Sequence, residues 1–138
     1  MVMKELLRDN AQRMLNAAKT WLAADHYGVA AYLSGYAAEF QLKARVVEHR
    51  NLSGFPSDTS EFRTVEQQKG IWLKTHVLDE LLEFSGQRDV IKNDPTTMTV
   101  WSACAKWSPG YRYDEIGKVT KPAAEALVRN VEALLGHL

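Results

Sequence analysis

Apolar residues in the first third of the chain recur at steps of three and four, which is the spacing of one face of an α-helix. This pattern predicts a first helix from about Lys4 to Ala24 and a second from about Tyr27 to His49. The first half of the second helix, from Val29 to Ala38, is apolar on almost every side. Because a helix of this kind is buried by several neighbours, we expect the second helix to be the central element of the fold.

A long polar connection follows over about residues 51–73, and it includes a short predicted helix near residues 60–68. Connections of this length in small domains often carry function. Thr75 is the expected N-cap of the next helix, because threonine side chains accept hydrogen bonds from free backbone N–H groups. We expect that helix to end at Gly86, because glycine readily adopts the left-handed conformation that closes many helices.

Two further helices are expected in the last third of the chain. Asp94 followed by Pro95 is typical of a helix start, and this helix should stop before Ser108. Thr120 is the expected cap of the last helix, whose apolar period continues to the end of the chain. No segment alternates like a strand. The pattern therefore predicts an all-α fold, an antiparallel up-and-down helical bundle of four to five helices, with residues 1–138 in a single domain.

The 138 residues include 17 basic and 17 acidic side chains, so the formal net charge is zero. This balance excludes a protein that coats nucleic acid with a generally basic surface, although it leaves room for a local basic groove. No apolar run approaches the roughly 20 residues that cross a bilayer, so we expect no membrane association. Cys104 is the only cysteine in the sequence, which excludes an internal disulfide and suits a cytoplasmic location.

Common catalytic motifs are absent from the sequence. It contains no Gly-rich phosphate loop, no His-Glu-x-x-His and no Gly-x-Ser-x-Gly. The four histidines, His26, His49, His76 and His137, are not spaced as metal ligands. We therefore expect no catalytic residue, no metal site and no cofactor.

Three segments of the sequence are similar to motifs of a known protein family. Residues 32–44 read Tyr-Leu-Ser-Gly-Tyr-Ala-Ala-Glu-Phe-Gln-Leu-Lys-Ala, residues 75–78 read Thr-His-Val-Leu, and residues 107–113 end in Arg-Tyr. In this order they resemble the HEPN family. The first is similar to its second helix, which carries Ala-Ala/Glu followed by Leu-Lys-Ala, the second to the His-x-Leu opening of its third helix, and the last to an Arg-Tyr corner before its final helix. The resemblance extends over residues 21–135.

A HEPN resemblance implies a bundle of four to five helices that is often dimeric. Members of the family bind nucleotides or RNA, act with minimal nucleotidyltransferase partners, or cleave RNA as toxins. The cleaving members carry an Arg followed by a His, after four to six intervening residues, near the last helix. In this chain the next histidine after Arg112 is His137, and seven residues separate Arg129 from His137.

The absence of the Arg/His spacing of the RNA-cleaving members bears on whether this chain cleaves RNA. It favours a non-catalytic HEPN-type binding module for a nucleotide, RNA or a minimal nucleotidyltransferase partner. The alternative is a HEPN RNase toxin of a toxin–antitoxin pair with a diverged Arg/His motif.

We expect a ligand groove where the start of the third helix and the corner before the last helix meet the side of the second. The predicted ligand-binding residues are Glu39, Lys43, His76, Arg112 and Tyr113. Lys43 and Arg112 would attract an anion, and Tyr113 would stack a base. Free backbone N–H groups at a helix start near His76 would favour negative charge. Glu39, four residues before Lys43, would hold one of the cations when the groove is empty.

Each of these residues also has a purely structural interpretation. Glu39 and Lys43 have the spacing of an ordinary helix-stabilising ion pair. Arg112 and Tyr113 would instead brace the corner loop from inside. His76 would serve as a capping or buried polar residue rather than a ligand contact. The sequence leaves both interpretations open.

The chain is rich in large aromatic side chains for its size. They include Tyr27, Tyr32, Tyr36, Phe55, Trp72 and Trp107. If some of them exceed what one small core needs, they form an exposed patch, and a symmetric pair is the commonest way to bury such a patch. We therefore expect a homodimer.

Overall fold

The computed structural model describes residues 1–110 and 117–138, which are helical apart from turns, extended connections and one isolated β-bridge between Val2 and Phe55. The helices in these ranges are α1 (Lys4–Ala23), α2 (Tyr27–His49), α3 (Thr59–Lys69), α4 (Leu78–Phe84), α5 (Arg88–Lys92), α6 (Pro95–Cys104) and α7 (Lys121–Leu135). The predicted all-α class is confirmed, but the helices outnumber the four to five expected. None of those described is both long and apolar enough to cross a membrane.

The second helix is the central element, as its pattern predicts. It packs against α1, α4 and α7, and its buried side chains are mostly alanine, leucine and valine. Ser34 is fully buried on this helix and donates a hydrogen bond to the carbonyl of Ala31 at 2.9 Å, so its hydroxyl is satisfied locally. Small side chains let the neighbouring helices approach closely, which explains why this stretch is rich in alanine.

Gly35 is needed for one particular close contact. A Cβ atom at this position would lie 1.9 Å from the indole ring of Trp107, which follows α6 and is buried. The ring therefore lies directly against the backbone of α2 and meets Tyr36 edge-on, with 5.0 Å between ring centroids. This contact fixes the chain after α6 on the central helix.

Three helix starts follow simple capping chemistry. The Asp58 carboxylate accepts a hydrogen bond from the backbone N–H of Glu61 at 2.8 Å, and Asp94 accepts one from Thr96 at 2.8 Å. Thr120 accepts one from Ala123 at 3.3 Å. The caps predicted at Asp94 and Thr120 are therefore confirmed, because a side-chain oxygen satisfies a backbone N–H that has no partner within the helix.

The predicted start of the helix that follows the long connection, α4, is wrong. Thr75 does not cap it, because α4 begins three residues later at Leu78. The Thr75 hydroxyl instead accepts a hydrogen bond from the N–H of Val77 at 3.0 Å, a local turn that competes with helix formation. The stretch before α4 is consequently not helical, and within it the N–H of Thr75 turns back to the carbonyl of Leu73 at 2.9 Å. The predicted end at Gly86 agrees more closely, since α4 ends at Phe84 and Gly86, two residues later, has a φ of 72°.

The six aromatic side chains named above differ in their exposure. Phe55 and Trp107 are each only 3% exposed and belong to the core. Tyr27, Tyr32 and Tyr36 are half-buried. Of the six residues, only Trp72 is strongly exposed, at 42%. The homodimer, and the aromatic patch that motivates it, stay predictions.

Candidate functional site

A buried carboxylate lies at the centre of the candidate site. Glu39 on α2 is 1% exposed, and each of its oxygens has a nitrogen partner. Lys43 Nζ donates to Oε2 at 3.0 Å, and His76 Nδ1 lies 2.9 Å from Oε1. Burying a carboxylate is costly unless it is paired and hydrogen-bonded. Glu39 satisfies that requirement with two side chains, one on its own helix and one 37 residues away.

Local structure explains how these three residues meet. Glu39 and Lys43 are four residues apart, so they lie on the same face of α2. His76 lies in the non-helical segment that leads into α4, and α4 is held against α2 by its buried leucines, such as Leu81. The ring of His76 therefore reaches Glu39 from outside, and its side chain is 62% exposed.

With Glu39 ionised, this contact assigns a proton to Nδ1 of His76. An ionised carboxylate only accepts hydrogen bonds, so Nδ1 must be the donor to Glu39. The other ring nitrogen, Nε2, has no partner among the described residues. In neutral imidazole Nε2 is then an acceptor, and in imidazolium it is a second donor.

A cavity of about 420 Å³ opens beside this cluster. Its walls are mainly apolar and come from Val2, Leu6, Leu7, Phe40, Phe55, Phe62 and Leu73. Three basic side chains, Lys43, Lys74 and His76, also line it, with Asn10, Ser57 and Thr75 as further polar groups. No described carboxylate is part of the lining. Such a cavity suits a ligand with an apolar body and a negative group.

The two lysines of the cavity are held differently. The Lys43 side chain is 14% exposed, and its ammonium lies 5.0 Å from the centre of the Phe55 ring, within reach of a cation–π attraction. Lys74 is exposed and makes no ion pair with any described residue. Since Glu39 offsets only one of these charges, the cavity carries a surplus of positive charge.

Glu61, an acid of the long connection, already has hydrogen-bond partners. Glu61 accepts hydrogen bonds from the Met1 ammonium at 2.8 Å and from the backbone N–H of Ser57 at 2.8 Å. These hydrogen bonds, that from the ammonium foremost, lower the pKa of Glu61 to about 2. The carboxylate stays ionised and engaged with these partners rather than with Lys74.

The structure brings together three of the five predicted site residues. Glu39, Lys43 and His76 meet as described, whereas Arg112 and Tyr113 lie outside the described residues. His76 precedes α4 by two residues and bonds Glu39, and the anion-binding role expected of the helix start near it stays a prediction. Sequence reasoning missed Lys74 and Asn10. The available signal for Lys74 was its position two residues before His76 in the same connection.

The remaining reactive side chain is inert. Cys104, the last residue of α6, is buried, and burial raises the pKa of its thiol to about 12. A thiol that stays protonated is a poor nucleophile and a poor metal ligand. Within the described ranges, no three side chains of His, Cys, Asp or Glu are grouped so as to hold a metal ion.

No protein-family model, curated protein or solved structure matches this chain. The HEPN resemblance therefore rests on the residues of the chain itself and stays a prediction.

Proposed function

We propose that this chain is a non-catalytic, HEPN-like binding module of antiparallel helices that takes a phosphate-bearing ligand, a nucleotide or RNA, in the cavity beside Glu39. The observation that carries the proposal is the placement of Lys43, Lys74 and His76 around an apolar cavity. A nucleotide has the matching chemistry, since its base is flat and largely apolar on its faces while its phosphate is anionic. Cavities of this size are typical of small-molecule sites.

Lys43 can serve such a ligand without leaving Glu39. An ammonium group has three N–H donors, and Glu39 uses one of them at 3.0 Å. The remaining donors are available for phosphate oxygens. The carboxylate thus holds Lys43 in place at the cavity wall, which reduces the side-chain entropy that a free lysine would lose on binding.

Lys74 gives the sharpest test of the proposal, because it is exposed and makes no ion pair with any described residue, so its loss should not affect folding. Removing one charge-assisted contact costs about 1.5–3 kcal/mol, so Lys74→Ala should weaken binding of 5′-AMP or a short oligoribonucleotide roughly ten- to a hundredfold. Titration calorimetry measures the change. Lys69→Ala, an exposed lysine outside the cavity, is the matched control. Equal affinity of the two variants, or no binding by the unchanged protein, contradicts the proposal.

An RNase is the second candidate, and the contact between Glu39 and His76 favours it. A carboxylate that holds Nδ1 leaves Nε2 of a neutral imidazole free to take a proton from a ribose hydroxyl, which is the role of a general base. The residue would then be His76 rather than a histidine in the usual Arg/His motif. Metal-independent cleavage of an oligoribonucleotide that is lost in His76→Ala would select this candidate, and absence of cleavage would select the binding module.

A minimal nucleotidyltransferase partner and a homodimer are further predictions of the HEPN resemblance. Co-purification with the product of an adjacent nucleotidyltransferase gene would test the first. Light scattering over a wide concentration range would test the second, and a monomer mass throughout would reject it.

A further inference from the structure

The connection between α3 and α4 exposes an aromatic side chain next to two of the basic side chains of the cavity. Trp72, Lys74 and His76 are exposed, whereas the residues between them, Leu73 and Thr75, are buried and half-buried. Lys74 and His76 line the cavity, and Trp72 does not. An indole and two basic groups therefore follow one another along the surface of this connection, with the indole outside the cavity.

Trp72 nevertheless contacts the cavity wall. Its ring centroid lies 5.9 Å from that of Phe62, and the two ring planes make an angle of 50°. Phe62 lines the cavity and is only 9% exposed, whereas Trp72 is 42% exposed. The indole thus packs on a core residue and presents the rest of its surface to solvent at the edge of the cavity.

The other three tryptophans of the sequence have different surroundings. Trp101 and Trp107 are 2% and 3% exposed and belong to the core. Trp21 is as exposed as Trp72, but it lies near the end of α1, and its ring meets His26, which is not part of the described lining of the cavity. Trp72 is therefore the exposed tryptophan of this chain that lies beside basic side chains of the cavity.

We propose that Trp72 is a stacking subsite for a base outside the cavity, so that the ligand is a single strand of at least two nucleotides. The inference rests on the proposed function and extends its site by one nucleotide. Every base has a π-face that an aromatic side chain can stack, whatever the identity of the base, and cations beside the aromatic hold the backbone of the strand.

Lys74 is the cation that suits the phosphate between the two nucleotides. Its Cα atom lies at most about 7 Å from that of Trp72, because two residues of chain span no more than that. It also lines the cavity and makes no ion pair with any described residue. Its ammonium can therefore hold the phosphate that joins the nucleotide on Trp72 to the nucleotide in the cavity.

The test compares two ligands with the same number of phosphates. Adenosine 3′,5′-bisphosphate has one base, and the dinucleotide pApA adds a second adenosine. Titration calorimetry on the full chain should show that pApA binds roughly five- to 150-fold more tightly, which is the range for stacking one base on an aromatic side chain. Trp72→Leu retains an apolar contact for Phe62 but removes the indole. This gain should then disappear, while affinity for the bisphosphate stays within about twofold. Trp21→Leu, which removes an equally exposed indole, is the matched control and should retain the gain.

Fluorescence reports directly whether the added base lies on the indole. In Trp21→Phe, Trp72 is the only exposed tryptophan that remains, so pApA should quench the emission of this variant and the bisphosphate should leave it nearly unchanged. The deoxyribose dinucleotide identifies the strand. Equal gains with the two dinucleotides indicate stacking of either strand, and a gain with one alone assigns the subsite to RNA or to DNA.

The outcomes separate this inference from the proposed function. If no dinucleotide binds more tightly than the bisphosphate, or if the gain survives in Trp72→Leu, the subsite is overturned even where Lys74→Ala still weakens binding. A loss of equal size for both ligands in Trp72→Leu also overturns it, because the indole would then act on the nucleotide in the cavity. If neither ligand binds to the unchanged protein, both proposals are overturned.

Discussion

Two glutamates on the same helix have the same number of partners in very different surroundings. Glu39 is bonded to Lys43 at 3.0 Å and His76 at 2.9 Å, and its side chain is 2% exposed. Glu48, nine residues further along α2, is bonded to Arg8 at 2.8 Å and Arg45 at 3.0 Å, but its side chain is 38% exposed. Each glutamate and its two partners form a cluster. By the distances between the carboxylate and its partners alone, the Glu39 cluster and the Glu48 cluster are equivalent.

Because of burial, the two clusters differ in their contribution to stability and in how firmly they position their cations. Water screens an exposed ion pair and competes for its hydrogen bonds, so such a pair contributes about 0–1 kcal/mol. At Glu48 slight burial acts to raise the pKa, but the hydrogen bond from Arg8 and the charges of Arg8, Arg45 and Lys4 outweigh it and lower the pKa. At Glu39 water is excluded, and the loss of a partner leaves a charge with little compensation. The buried cluster therefore fixes its cations in place, whereas the exposed one merely attracts them.

The largest effect is expected when the buried carboxylate loses its lysine. Lys43→Met retains most of the apolar stem but removes the ammonium, which leaves Glu39 with His76 alone. Removing one partner of a buried pair costs about 3 kcal/mol or more. Urea denaturation should report this loss as a lower midpoint with an unchanged slope.

Arg8→Met is the matched control for that measurement, because it removes a cation from Glu48 at a similar distance. It should cost no more than about 1 kcal/mol. Equal losses in Lys43→Met and Arg8→Met would mean that burial does not separate the two clusters and that Glu39 has solvent to compensate it.

Neutralising the buried acid should move stability and affinity in opposite directions. Glu39→Gln keeps a similar shape and can still accept a hydrogen bond from Lys43, so the loss of stability should be about 1–2 kcal/mol. Removing the negative charge beside the cavity should tighten AMP binding by roughly fivefold, equivalent to about 1 kcal/mol. Denaturation and calorimetry on one preparation measure both quantities.

The opposite changes in stability and AMP affinity distinguish a glutamate that acts on a ligand site from one with a purely structural role. If Glu39 served stability alone, Glu39→Gln would weaken the fold and leave AMP affinity unchanged or reduced. Glu48→Gln should leave affinity unchanged, because neither of its partners, Arg8 and Arg45, lines the cavity, whereas both partners of Glu39 do.

The sequence predicts well those features that depend on neighbouring residues. The bounds of α1 and α2 follow from apolar periodicity, and the caps at Asp94 and Thr120 follow from side-chain chemistry within three residues. The five-residue helix α5 escaped prediction, because a single turn contains too few residues to show a period. The start of α4 was misplaced because a threonine can close a local turn as readily as it caps a helix.

The candidate site was predictable only where its residues share a helix. The four-residue spacing of Glu39 and Lys43 indicates their ion pair directly. The burial of Glu39 and its bond to His76, 37 residues away, depend on how α4 packs against α2, which no local pattern contains. Asn10 was missed for the same reason, since a polar residue on a helix gives no sign of the cavity that it lines.

The smallest expected effect concerns salt, and it tests the comparison of the two glutamates most directly. Glu48→Gln should cost less than about 1 kcal/mol at low ionic strength. In 1 M NaCl, where the screening length is about 3 Å, that cost should fall close to zero. The cost of Glu39→Gln should persist in 1 M NaCl, because ions do not enter the space between Glu39 and Lys43. Urea denaturation of both variants at 0.05 M and 1 M NaCl measures the difference. If salt removed the two costs equally, the carboxylate of Glu39 would be accessible to solvent ions, and its cations would not be fixed at the cavity wall.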